Sequence, residues 1–502
     1  MTATRRASSF SCVLAAICLV LAACGPDDPS NNESNGADVG VDGGSPDAGP
    51  DADPDGGSGG GEVVTCENEI EPAPDDQSCS VESGASNLLM LEGDVLAGDT
   101  VYENGQVFID RSAENAEIVC TGCDCAEEAD AESATTLSCP ETVISPGLVN
   151  AHEHLGWGAA PPKPHGEERY DHRHDWREGL RGHDEISSGA GDYSSESILF
   201  GELRHMLSGA TTIAGSTRGG AADGFLRNMD NPSSSGGLEV DVEYETFPLG
   251  DVSGTLRDSG CDYPDIDGES ALQNDIYLPH IGEGIDPEAQ NEYACLSSSD
   301  EGGVDLIEDH TSVIHGVGMT AADIADFAAN GAELVWSPRT NIDLYGNTAD
   351  VITYDNYGVD IALGTDWLIS GSMNLSRELA CVDHLNQNHY NNHFSDYEIF
   401  KMATENGAIS MGVGDQLGRI EEGYIADITL FDASERSDYR AVIGAELEDV
   451  ELVMRGGDPL VGESPLVDAL LDESDADQCE TIDLCETERT ICAERDTGLS
   501  YE

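Results

Sequence analysis

Pro146-Gly147-Leu148-Val149-Asn150-Ala151-His152-Glu153-His154-Leu155 is the stretch on which the reading of the fold turns. A Pro-Gly turn leads into a short apolar run of strand character. Alternate residues of a strand share a face, so His152 and His154 point to one side and Glu153 to the other. Two imidazoles on one face at the end of a strand make half of a metal site.

Three further apolar runs end in the same manner. Tyr277-Leu278-Pro279-His280 closes on a histidine, with Glu283 in the loop just beyond, and Ser312-Val313-Ile314-His315 closes on another. Ile361-Ala362-Leu363-Gly364-Thr365-Asp366 closes on a carboxylate. Of His280 and Glu283, one suits metal binding and the other proton handling; spacing alone does not say which. Between these runs lie helices. Leu199, Leu203, Met206 and Leu207 share a face and stop at Gly209. Thr320 and Asp323 form a capping box before Ile324, Phe327 and Ala328, and Ser395 and Glu398 open a helix carrying Ile399, Met402 and Ala403. Thr211–Ala214, Leu334–Trp336 and Val359–Leu363 supply more strands.

Strands alternating with helices predict a parallel sheet. Chemistry gathered at strand ends is the rule for a (β/α)8 TIM-like barrel. The stretch between Ser216 and His280 is short for two complete strand–helix units. Leu238–Phe247 offers one strand, and the other has no clear place.

Strand-like segments also flank this block, at Leu88–Leu91 and Val107–Ile109 before it and at Gly418–Asp432 after it. They predict one small β-sandwich domain built from both flanks. The expected division is a signal segment over 1–24, a disordered Gly/Asp-rich tether over 25–62 and a Cys-containing first sandwich part over 63–146. The barrel follows over 147–414, the second sandwich part over 415–460 and an acidic Cys-containing extension over 461–502. Arg5 and Arg6 precede an apolar run, Phe10 to Ala23, too short to span a bilayer. Leu21-Ala22-Ala23-Cys24 resembles a bacterial lipobox. That resemblance implies lipidation at Cys24 and export, with anchoring to a bacterial membrane on the periplasmic side or cell surface. An ordinary signal peptide with an incidental cysteine is the alternative.

The formal charge is −79, from 100 acidic against 21 basic residues. A surface of that sign repels phosphate backbones and excludes nucleic-acid binding. Of 15 cysteines, Cys66, Cys79, Cys120, Cys123, Cys125, Cys139, Cys261, Cys295, Cys381, Cys479, Cys485 and Cys492 follow the lipobox. An even set in an exported chain favours disulfides, with Cys261 and Cys295 a candidate pair. The cluster Cys120, Cys123, Cys125 also fits a zinc site.

The order of these motifs resembles the amidohydrolase superfamily, nearest the branch of cytosine deaminase and triazine hydrolases. Gly209-Ala210-Thr211-Thr212, His315-Gly316-Val317-Gly318-Met319, Trp336-Ser337-Pro338-Arg339-Thr340-Asn341 and Leu363-Gly364-Thr365-Asp366 carry the likeness. Met402 to Ala408 and Gly423 to Asp427 extend it. The resemblance implies that His152, His154, His280 and Asp366 bind one divalent metal, zinc by default with iron or manganese as alternatives. Asp366 would also accept a proton from the attacking water, His315 would polarise substrate or steady that water, and Glu283 would shuttle protons. Binuclear relatives use a carbamylated lysine. The two lysines here, Lys163 and Lys401, fall outside the middle strands, which argues for one metal.

The function so implied is hydrolysis of a C–N bond of a small molecule by a metal-activated water, with deamination of a heterocyclic amine in first place. Hydrolysis of a cyclic amide or N-blocked amino acid is the alternative, and a binding lipoprotein without catalysis is the rival from another class. Asp171 to Arg177 holds a second His-x-His, His172 and His174, in a polar stretch. It reads as a lid with Trp176 and Arg177 facing substrate, and metal ligation there is the alternative. Arg339 and Asn341 suit either substrate orientation or loop support. His205 is expected to be exposed on its helix, His384, His389 and His393 solvated, and His310 in a loop.

Overall fold

The computed structural model describes residues 61–501 apart from 76, 218–223, 232, 473–474 and 486. The expected signal segment, Cys24 and the tether up to residue 60 lie outside the described residues.

The chain is a mixed α/β fold. β1 (Leu148–Asn150), β2 (Ala210–Ile213) and β3 (Arg227–Asn228) form one parallel sheet in chain order. A second parallel sheet contains β4 (Val242–Glu245), β5 (Ile276–Ile281), β6 (Ser312–His315), β7 (Glu333–Trp336) and β8 (Ile361–Leu363), also in chain order. The two meet where β1 lies beside β8. Ala151 N donates to the Leu363 carbonyl at 3.0 Å and Asp366 N to that of His152 at 3.0 Å, with a parallel bridge between Glu153 and Asp366. The strands therefore run in the order β3-β2-β1-β8-β7-β6-β5-β4. Gly364 permits the close approach, since a Cβ there would sit 2.5 Å from that of His152.

Both faces of these strands are buried except in β4, where Glu243 is exposed. Leu148, Val313, Leu334 and Ile361 pack on one face into a core shared with most of the helices, while Val149, Ile314, Val335 and Ala362 pack on the other into a separate core. That split is the period of two expected of strands covered on both sides. Of the two strands the sequence leaves uncertain, β4 falls within Leu238–Phe247. β3 is only two residues long, and its buried Arg227 is paired with Asp427 at 2.9 Å. The capping boxes at Thr320/Asp323 and Ser395/Glu398 both form.

The flanking segments build one large sheet, eleven-stranded among the described residues. In it Ala134–Pro146 pairs antiparallel with Ile428–Asp432. Ala134–Pro146 passes through Gly147 directly into β1, so the quoted Pro-Gly turn is the handover from this sheet to the parallel strands. The C-terminal extension joins the same sheet through Glu480–Leu484 and Thr487–Ile491.

Cysteines close Cys66–Cys123, Cys79–Cys139, Cys120–Cys125, Cys261–Cys295 and Cys479–Cys492. Cys381 and Cys485 are disulfide-bonded as well. The three thiols once open to a zinc reading are thus spent in two bridges. No helix among the described residues is long and apolar enough to cross a membrane.

Candidate active site

The ends of β1, β5, β6 and β8 deliver their polar residues to one place. His152 Nε2 lies 3.4 Å from His154 Nε2. Asp366 Oδ1 is 3.6 Å from the first and 3.4 Å from the second. His280 completes the group, with one ring nitrogen from each of the three histidines within 4.8 Å of the others. His315 stacks edge-on against both His152 and His280, with ring centroids 5.2 Å apart in each case.

The carbonyl of Glu245 sits 3.0 Å from His280 Nδ1. A carbonyl only accepts, so Nδ1 carries the proton and Nε2 presents a lone pair. That Nε2 is buried and has no hydrogen-bond partner. Burial above all, then the neighbouring imidazoles, holds His152 and His280 well below the ordinary histidine range and therefore neutral, the state that ligates a cation. Burial, followed by the charge of Glu283, pushes the Asp366 carboxyl well above its usual range. A cation at this spot would reinforce the first effect, keeping the imidazoles neutral, and oppose the second, ionising Asp366, so the donor set fits a divalent metal.

Two of these residues hold left-handed backbone without being glycine: His315 has φ 78° and Asp366 φ 55°. Such conformations cost energy and persist where the surroundings enforce them, commonly at functional sites. Beneath the cluster a buried polar layer locks β1 to β8. Asn150 donates to Thr365 Oγ1 at 2.7 Å, and Glu153 meets His205 at 3.3 Å and Arg204 at 3.6 Å. His205 is thus fully buried, contrary to the sequence expectation. Its helix, Ser195–Met206, is covered on nearly all sides, so a polar position on it can be an interior one.

The Glu283 carboxylate is held by three side chains. Tyr345 donates its hydroxyl proton to Oε1 at 2.6 Å, and Trp176 Nε1 in turn donates to the Tyr345 oxygen at 2.9 Å. His315 Nε2 lies 3.5 Å and Arg173 3.9 Å from Oε2. Asn341 stands behind His315, its Oδ1 3.2 Å from Nδ1.

Over these groups opens a cavity of about 310 Å³, lined by His154, His280, Glu283, His315 and Asp366 together with Trp157, Trp176, Trp367, Phe247, Arg173 and Arg177. Trp176 and Arg177 come from a segment read as a polar loop, which is in fact the helix Arg173–Glu178. His172 is its N-cap in a capping box with Asp175. Histidine is not among the usual capping residues, so the signal was easy to miss, and with it Arg173. His172 and His174 turn away from the metal cluster toward Glu292 at 3.3 Å and Asp251 at 2.7 Å. Arg339 does not line the cavity; its backbone N–H binds Glu378 at 3.1 Å. Of the remaining histidines, His389 is exposed, while His384, His310 and His393 are half-buried, the last paired with Asp355 at 2.7 Å.

Residues 280–460 match the model of the Amidohydrolase family. A 5-methylthioadenosine/S-adenosylhomocysteine deaminase of Clostridium tetani is 27% identical over 175 residues, 33% of this chain and 40% of that protein. The corresponding Thermococcus onnurineus deaminase is 32% identical over 123 residues, 24% of this chain and 28% of that one. The chain therefore matches less than half the length of these curated relatives. Among solved structures, a variant atrazine chlorohydrolase of Arthrobacter aurescens with zinc and atraton superposes with a TM-score of 0.55 at 18% identity, over 74% of this chain and 95% of that one. A zinc-bound adenosine deaminase of Xanthomonas campestris gives 0.50 at 17%, over 74% and 92%. At such identities the likeness speaks for the fold.

Proposed function

We propose that this chain, a member of the amidohydrolase superfamily, is a metal-dependent hydrolase that cleaves a C–N bond of a small molecule, most directly by deaminating a heterocyclic amine. The observation that carries the reading is the meeting of His152, His154, His280 and Asp366, with the buried Nε2 of His280 lacking any hydrogen-bond partner. A buried polar atom left unpaired costs on the order of 1–3 kcal/mol, and a cation at the cluster removes that cost. The architecture in this reading is a closed (β/α)8 barrel beside a β-sandwich, exported and held by lipid at Cys24.

When bound, a divalent cation, zinc by default, lowers the pKa of a water from about 15.7 toward 7 and so supplies a nucleophile at neutral pH. The protein's own groups do the rest. His152, His154, His280 and Asp366 would hold the ion. Glu283, at the cavity wall, transfers protons: with Oε1 occupied by the Tyr345 hydroxyl, Oε2 is the oxygen left to carry a proton to substrate nitrogen. His315, oriented by Asn341, polarises the bond under attack. Trp176 and Trp367 line the wall with apolar surface.

The test is metal analysis of the purified full chain, followed by a panel of heterocyclic amines and cyclic amides assayed for ammonia and for ring opening. Ammonia release lost on chelation and regained with zinc is expected. Ring opening without ammonia would transfer the protein to cyclic-amide hydrolysis. Metal binding with no turnover on either set would remove the catalytic reading.

A further inference from the structure

We propose that the cavity is selective by charge and shape: it takes a flat, neutral or cationic heteroaromatic amine bearing an apolar arm, and it rejects anionic analogues in spite of its two arginines. This rests on the hydrolase reading above and names the substrate class of that site.

Tryptophan is scarce here, four in 502 residues, yet Trp157, Trp176 and Trp367 all line this one cavity. They arrive from three separate segments. Trp176 and Trp367 stand 4.9 Å apart by ring centroid, Trp157 and Trp367 6.3 Å, and Trp157 lies 6.0 Å from the ring of His154. The box thus abuts the metal cluster. The Trp176 N–H is spent on Tyr345 at 2.9 Å and that of Trp367 on Ser370 at 2.6 Å. These two indoles therefore offer a ligand flat apolar faces rather than donors. Such faces favour planar rings, apolar groups and cations. The volume sits at the small end of ligand pockets, enough for one ring system and a short arm.

The arginines look like an anion receptor until their partners are counted. Arg173 is ringed by Asp251 at 2.9 Å, Glu292 at 3.2 Å and Glu283 at 3.9 Å, and donates to the Thr246 carbonyl at 2.9 Å. Arg177 donates to His174 Nδ1 at 2.8 Å and the Val252 carbonyl at 3.2 Å, faces Glu178 at 3.7 Å and lies over the Phe247 ring at 4.4 Å. Glu185 adds a carboxylate at the cavity wall. Even with a dication in place, Glu185, Glu283, Asp366, Asp251 and Glu292 outnumber the positive charges. A chain of formal charge −79 adds a repulsive field for any approaching anion.

Tryptophan fluorescence of the zinc-loaded full chain, excited on the red edge, reads occupancy without turnover, because three of its four emitters line the cavity. The probes are adenine, 9-benzyladenine and adenosine 5′-monophosphate. The expected order is 9-benzyladenine at least tenfold tighter than adenine, and the monophosphate at least tenfold weaker than adenine. Trp367→Leu, with folding checked by circular dichroism, should erase the benzyl preference. A monophosphate that binds as tightly as adenine, a benzyl arm that adds nothing, or no quenching by any probe at millimolar concentration overturns the proposal. The predicted order without ammonia release from any amine would leave the box standing and remove the C–N hydrolase reading. Ammonia release with the order reversed would do the opposite.

Discussion

Two buried clusters of histidine and carboxylate lie side by side in this molecule, and they settle their charges in different ways. In one, His172 and His174 face Glu292 and Asp251, with the Arg173 guanidinium between the two carboxylates. The cation is built in, and the cluster is closed. In the other, His152, His154, His280 and Asp366 gather without an arginine or lysine among them, and His280 Nε2 is left unpaired at the edge of a cavity. The difference shows how to tell structural from functional sets of the same residue types. A buried set that contains its own cation is complete, and one that lacks it is a site for an external ion.

The largest expected effect comes from breaking the open cluster. His280→Ala should bring bound metal below about a tenth of an equivalent and turnover down on the order of 10⁴-fold, roughly 5.5 kcal/mol, as read by elemental analysis and ammonia assay. If metal content and turnover survived, the contrast between the clusters would vanish. Next comes the closed cluster. Arg173→Met leaves Asp251 and Glu292 buried without their cation and should cost about 3–5 kcal/mol of stability in urea titration, while metal content under saturating zinc stays near one equivalent.

A subtler probe is pH. Burial alone would raise Asp251, but Arg173 and His174 outweigh it and hold its carboxyl well below the usual range. A carboxyl depressed in the folded state contributes stability that is present above its unfolded pKa of about 3.9 and lost as pH falls toward the folded value. Asp251→Asn should therefore be less stable than the native chain at pH 7, with the gap narrowing only below about pH 4. A gap that narrowed between pH 7 and 5 would contradict the assignment. The smallest change is Tyr345→Phe, which removes the hydroxyl bound to Glu283. A kcat about tenfold lower, with metal content unchanged and KM nearly so, is the expected kinetic pattern.

Much of this was written in the chain. The strand ends carrying His152, His154, His280, His315 and Asp366 were legible because apolar runs stop abruptly at polar residues, and the structure brings all five together. The capping boxes were legible because Thr320 and Ser395 are ordinary N-caps. What escaped did so for physical reasons. β3 is two residues with a buried arginine, and no apolar pattern of that length exists to be found. Arg173 and His174 sit in a polar stretch whose burial depends on Asp251 and Glu292, distant in sequence. His205 was misjudged because an apolar stripe reveals only one contact face of a helix, whereas this one is also packed where it is polar. The left-handed backbone at His315 and Asp366 leaves only a faint mark, because histidine and aspartate adopt it more often than most residues but still rarely.

X-ray absorption at the metal edge of the zinc-loaded full chain reads whether His152, His154, His280 and Asp366 hold one ion together. The expected result is about one zinc per chain, ringed by nitrogen and oxygen at roughly 2.0–2.2 Å, with three imidazoles in the native protein and two in any residual metal of His280→Ala. Sulfur at about 2.3 Å, or an unchanged imidazole count after removal of His280, would contradict it.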